Sequence, residues 1–246
     1  MTDIDSEHLE TTALPVDCMN KVLLQIALLA LVFGYLLLPL SCSIWLDSTS
    51  MWYNAAAASG PLLSVIIVLV WIRKYCGSWR GVAALLKLKT FPVRWLALGL
   101  PAALLLQLIG GALSWLWNYL LECCGVQCAK PAMVELALTG NLWQLLMIGV
   151  TALLAAPVFE EILFRRALYS VLEEYSSSTV ALLGTALAFS VLHLSLLQLP
   201  GLFFLAVVWQ KIYLRSNSLY SSVILHFYNN LLAVLLLLAA RALGLE

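Results

Sequence analysis

The sequence predicts an all-α protein, a polytopic membrane helix bundle of about seven transmembrane helices. Three observations carry this. The chain of 246 residues is 63% hydrophobic and only 11% charged, against about 25% charged in an ordinary soluble domain. Its mean hydropathy is +0.97. The apolar residues fall into runs of roughly 20, the length that crosses ~30 Å of hydrocarbon. The formal net charge is zero and no basic cluster is large enough to suggest nucleic acid.

In chain order, residues 1–20 read as a polar N-terminal tail, opening "MTDIDSEHLE". No Arg/Lys cluster precedes the first apolar run, which argues against a cleaved signal peptide. The expected spans are 22–46, 53–72, 95–121, 142–164, 180–197, 201–214 and 219–240. The fifth and sixth are short, and "QLPG" with Pro200 and Gly201 reads as the turn between them. Segment 131–141 has mixed polarity and suits a short helix along the interface. Residues 21–246 form one domain, with its unusual polar residues within about 142–240.

Lys and Arg in short loops set orientation. Segment 73–94 holds Arg73, Lys74, Arg80, Lys87, Lys89 and Arg94, so that loop and the N-terminus are expected in the cytoplasm. Alternation then places Arg165 and Arg166 in the next cytoplasmic segment, and Lys211 and Arg215 in the one after. The cysteines are Cys18, Cys42, Cys76, Cys123, Cys124 and Cys128. The cluster "ECCGVQCAK" fits no paired zinc pattern, and its thiols are read either as free or palmitoylatable, or as bridged to Cys128 if the loop faces an oxidising compartment.

Ionisable groups inside a span cost ~2.5–3.5 kcal/mol on insertion scales, so they face the protein interior and are candidates for function. Here they are Glu160, Glu161 and Arg165 in the fourth span, His193 in the fifth, and His226 with Asn229 and Asn230 in the seventh. His8 lies in the tail. Gln25 and Gln107 stand singly and read as interhelical hydrogen bonds. Glu161 and Arg165 are one turn apart, Glu on the N-terminal side, and pair on one face. Glu160 is turned about 100° away without that partner, which leaves it free to take a proton from water. Phe189 stands one turn before His193 and would pack beneath its imidazole. His226 and Asn230 present an imidazole and a carboxamide from one face, two donors that could converge on an oxyanion. A base, an imidazole and two donors are what peptide hydrolysis by activated water requires. The competing reading is an ion-pair network that only holds helices together.

These residues, in this order, resemble the CAAX protease and bacteriocin-processing family of intramembrane endopeptidases, also called the type II CAAX prenyl endopeptidase family. Its three motifs stand here as Glu160-Glu161-Ile-Leu-Phe-Arg165, Phe189-Ser-Val-Leu-His193 and His226-Phe-Tyr-Asn-Asn230, and "LRSNSLYSSVILHFYNN" also resembles the family. The likeness covers about 150–240. It implies a glutamate-dependent membrane protease open to the cytoplasm. Glu160 would be the base, His193 would hold the water, and His226 with Asn230 would form the oxyanion hole. Glu161, Arg165 and Phe189 would support them. No cofactor is expected. The alternative is zinc on Glu160, His193 and His226, although no HExxH pattern is present. Expected partners are membrane lipids and a peptide or lipidated-protein substrate, in a bacterial cytoplasmic membrane. A non-proteolytic scaffold or immunity protein and a proton-relaying transporter are the rival functions.

One expectation concerns depth. By rise per residue, His193 lies ~20 Å from the cytoplasmic start of its span and His226 only ~10 Å from its own. For the two to meet, the fifth helix must start deeper or tilt, with loop 174–180 descending alongside.

Overall fold

The structure, a computed structural model, describes residues 16–47, 50–89, 93–129 and 131–244. His8 and most of the polar tail lie outside them. The described residues form nine helices and no strand. They are α1 (16–45), α2 (Met51–Cys76), α3 (Trp79–Leu85), α4 (Arg94–Cys123), α5 (Ala132–Thr139), α6 (142–175), α7 (Ser178–Leu192), α8 (Leu199–Ser216) and α9 (Leu219–Ala242). Five of them, α1, α2, α4, α6 and α9, are long and apolar enough to cross a membrane. With α7 and α8 they make the polytopic all-α bundle that composition demanded. Leucines on α4 such as Leu104, Leu105 and Leu108 are exposed, as expected of a surface solvated by lipid.

The boundaries differ from expectation in three places, each for a local reason. The fourth span does not end at 164. Helix α6 runs to Tyr175, and Arg165 and Arg166 are buried within it, at 0% and 5% exposure. They are not loop residues, because both guanidiniums find polar partners inside the bundle. Arg166 donates to the Leu85 carbonyl, to Asn20 Oδ1 at 2.9 Å and to Ser170 Oγ at 2.8 Å. The fifth span stops early, and His193 is its C-cap. The next residue, Leu194, has φ +51°, a left-handed conformation that ends a helix. Pro200 and Gly201 lie inside the first turn of α8, where proline's missing N–H is harmless, and the turn falls at 193–198 instead. Of the two single glutamines, Gln25 is exposed and Gln107 lines a cavity.

Prolines widen two helices. In α1 the segment Val32–Leu37 is π-helical, and Leu38 N–H bonds to Phe33 five residues back. The next donor in that register would be Pro39, which has none, so the Gly34 carbonyl loses its partner. It turns instead toward Gly60 of α2, and a Cβ on either glycine would collide with the other's carbonyl. Small residues let two membrane helices approach this closely. In α6 the segment Thr151–Ala155 repeats the pattern before Pro157.

The α6–α7 hairpin answers the question of depth. Its turn is Ser176-Ser177, with Ser177 Oγ capping α7 by accepting from Val180 N–H. Glu160 stands fifteen residues before the end of α6, and His193 fifteen after the start of α7. Equal arms of ~22 Å bring the two level. Helix α9 begins only ~10 Å from His226, so the hairpin reaches past its start, and α7 need not begin deeper.

The Gly34–Gly60 crossing predicts an asymmetry. Gly60→Leu should lower the thermal unfolding midpoint in detergent, with an overpacking cost of ~1–3 kcal/mol or more. Gly149→Leu should leave it unchanged, since a Cβ there meets nothing within 4 Å. Equal midpoints would show that α1 and α2 do not cross at these glycines.

Candidate active site

Glu161 has 0% exposure, and a lone buried charge is strongly unfavourable unless paired and hydrogen-bonded. Two groups supply this. Arg165 donates from Nε to Oε2 at 2.9 Å and from Nη2 to Oε1 at 3.4 Å. The Nδ1–H of His226 donates to Oε1 at 3.0 Å. The arginine is itself buried against aromatic faces, its Cζ 5.1 Å from the Phe189 ring centroid and 5.7 Å from that of Trp209. One carboxylate thus ties α6 to α9 with both of its oxygens engaged.

The other carboxylate is less engaged. Glu160 Oε2 lies 3.8 Å from Nε2 of His226 and 3.9 Å from Nε2 of His193, and it has no hydrogen-bond partner. Both separations exceed a hydrogen bond and suit polar groups that share a water. His193 Nδ1–H donates to the Phe189 carbonyl at 2.7 Å, one turn back in its own helix. Each imidazole therefore has its Nδ1 hydrogen committed to an oxygen, and each aims Nε2 at Glu160.

Aromatic rings hold the imidazoles. Phe189 lies 4.5 Å from the His193 ring, and its edge contacts Phe164 and Trp209 at 5.1 and 5.9 Å. Trp209 stacks on His226 with centroids 4.3 Å apart and planes at 27°. Spacing had given Phe189 its place. Trp209 had no comparable signal, because its partner lies on another helix.

Asn230 sits on the same face of α9, but its amide already has a task. Nδ2 donates to the Ala152 carbonyl at 2.7 Å. That carbonyl is the one Pro157 leaves without a donor in the wide turn of α6. One amide hydrogen of Asn230 is spent on this seam, and the second remains for a ligand. Pro157, three residues before Glu160, was the sequence signal for this bond.

Glu160, His193, His226 and Asn230 all line one cavity of about 810 Å³, together with Asn229, Gln107 and Tyr35 of α1. Most of its other lining residues are apolar, a form common to small-molecule and peptide sites. Among the described residues no group of three or more His, Cys, Asp and Glu is arranged to hold a metal ion. The six cysteines are free thiols, and none lines the cavity.

The two glutamates should separate by stability. Glu161→Gln breaks a buried pair and should cost about 3–5 kcal/mol, read as a lower unfolding midpoint. Glu160→Gln removes a poorly satisfied carboxylate and should leave the midpoint unchanged or raised. The reverse order would contradict the division of roles between them.

Residues 141–232 match the family model described as type II CAAX prenyl endopeptidase Rce1-like, while no curated protein and no solved structure matches the chain. The matched stretch takes in all of α6, α7 and α8 and the part of α9 that bears His226 and Asn230. The segment that builds the candidate active site is thus similar to the Rce1-like type II CAAX prenyl endopeptidase family.

Proposed function

We propose that the protein is an intramembrane endopeptidase that hydrolyses a peptide bond of a lipidated or membrane-associated substrate with a water activated by Glu160. The observation that carries this reading is the convergence of Glu160 and two imidazole Nε2 atoms in one cavity, with separations of 3.8 and 3.9 Å. Water donates one hydrogen to Glu160 and the other to the bare Nε2 of His193. Its oxygen attacks the scissile carbonyl carbon as its proton passes to Glu160. The C–N bond then breaks, and the same proton leaves on the amine nitrogen. His226 serves as an oxyanion donor in its doubly protonated form, with Glu161 as counter-ion, and the second amide hydrogen of Asn230 is the other donor.

Cytoplasmic access is part of the proposal, and the grouping of cations supports it. Lys21 pairs with Glu174 at 2.8 Å, Leu219 N–H bonds to the Lys87 carbonyl, and Lys87 Nζ lies 5.4 Å from the Tyr213 ring centroid. The start of α1, the α2–α4 connection, the α6–α7 turn and the start of α9 therefore share one end of the bundle. An excess of Lys and Arg at one end marks the cytoplasmic side. A bacterial inner membrane fits this arrangement.

A zinc-dependent reading is favoured by one observation. Each imidazole has its Nδ1–H held by an oxygen and its Nε2 lone pair turned inward, as metal-ligating histidines do. The metal-free route remains the proposal, because Glu160 with His193 already supplies a base and an acceptor for the water, and His226 is taken up as an oxyanion donor.

Membranes carrying Glu160→Gln should accumulate an uncut precursor that wild-type membranes lack, detectable by quantitative proteomics. Turnover of that precursor should fall by more than about 100-fold while binding persists, and wild-type turnover should survive a strong chelator. No accumulated precursor would contradict the protease reading. Activity lost to the chelator and restored specifically by zinc would replace the metal-free route with the metal-dependent one.

A further inference from the structure

We infer that Tyr35, on the first helix and outside the family-matched segment, is a further catalytic residue whose phenol O–H donates a hydrogen bond to the tetrahedral oxyanion. This rests on the hydrolytic reading above. Three placements carry it.

The first is position. Tyr35 lines the same cavity as Glu160, His193 and His226. Its ring stacks on Phe159, the neighbour of Glu160, with centroids 5.6 Å apart and planes at 29°.

The second is register. Helix α1 packs along α6, and the Lys21–Glu174 ion pair locks one end of that contact at 2.8 Å. Tyr35 lies fourteen residues beyond Lys21, and Glu160 fourteen before Glu174. Two antiparallel helices of equal rise, ~21 Å each, therefore bring the phenol level with the base. Tyr35 also sits in the proline-induced wide turn Val32–Leu37, and such turns recur at functional sites.

The third is a shortage of donors. An oxyanion is held best by two or three preorganised hydrogens. His226 spends its Nδ1 hydrogen on Glu161 and must take a second proton to offer one at Nε2. Asn230 spends one amide hydrogen on Ala152. The Tyr35 hydroxyl is a donor that needs no such change, and no proton leaves it during the reaction.

The test is Tyr35→Phe, which keeps the ring against Phe159 and removes only the hydroxyl. The substrate is the precursor that accumulates in Glu160→Gln membranes, presented with the full-length protein in liposomes. We expect kcat to fall about 10- to 100-fold with KM unchanged within about twofold, and the unfolding midpoint to stay at the wild-type value. Wild-type kcat in Tyr35→Phe, or a raised KM with kcat intact, overturns the Tyr35 role and leaves the hydrolytic reading standing. Cleavage that persists in Glu160→Gln, or a precursor that never accumulates, overturns both.

Discussion

The buried charge of Glu161 is the constraint on which the site depends. A carboxylate with no exposure must be met by partners inside the bundle, and among the described residues Arg165 and His226 meet it. Arg165 is one turn further along α6, so that bond is made within one helix. His226 comes from α9, sixty-five residues away, so the second bond fixes how α9 sits against α6. The pairing settles the orientation of the His226 ring, and with it the direction of Nε2. Glu160 follows on the next position around the helix, facing the cavity because its neighbour has claimed the interior. A structural ion pair and a reactive acid thus arise from two adjacent identical residues, separated by ~100° of helix rotation.

Proline supplies a second constraint of the same kind. A missing N–H in a membrane helix leaves a carbonyl that lipid cannot satisfy. The Ala152 carbonyl takes a hydrogen from Asn230, and the Gly34 carbonyl is covered by Gly60. The first bond adds a second tie between α6 and α9 beyond the Glu161–His226 one. The second lets α1 and α2 cross closely at the turn that carries Tyr35. In both helices the wide turn and the cavity-lining residue occur together. The third wide turn, Ile162–Leu168, has no proline after it, and nothing in the sequence explains it.

Much of the arrangement was legible in one-dimensional spacing because its bonds are local. Glu161–Arg165 and Phe189–His193 lie one turn apart, and the structure shows both contacts. The bundle itself followed from hydropathy. Contacts that cross the chain were not legible. Arg166 read as a loop cation because the apolar run stops before it, yet it is satisfied by Asn20, 146 residues away. Tyr35 reads as one more aromatic in a greasy span until α1 is laid along α6. Helix α7 is shorter than its apolar run, because hydropathy continues past His193 whereas the backbone turns there. The depth difficulty came from measuring both histidines from a common plane, which the protruding α6–α7 hairpin does not respect.

The most direct test of the central claim is the position of the imidazole hydrogens. Nitrogen-15 NMR of histidine-labelled protein in detergent micelles, with His193 and His226 assigned by single substitutions, reads this at each ring nitrogen. Both rings should carry hydrogen on Nδ1, held by the Phe189 carbonyl and by Glu161, across neutral pH. A neutral ring with its hydrogen on Nε2 and a bare Nδ1, at either position, would contradict the account. At His193 the lone pair would then face away from Glu160 and could not hold the water, and at His226 the bond to Glu161 that orients the ring would be absent.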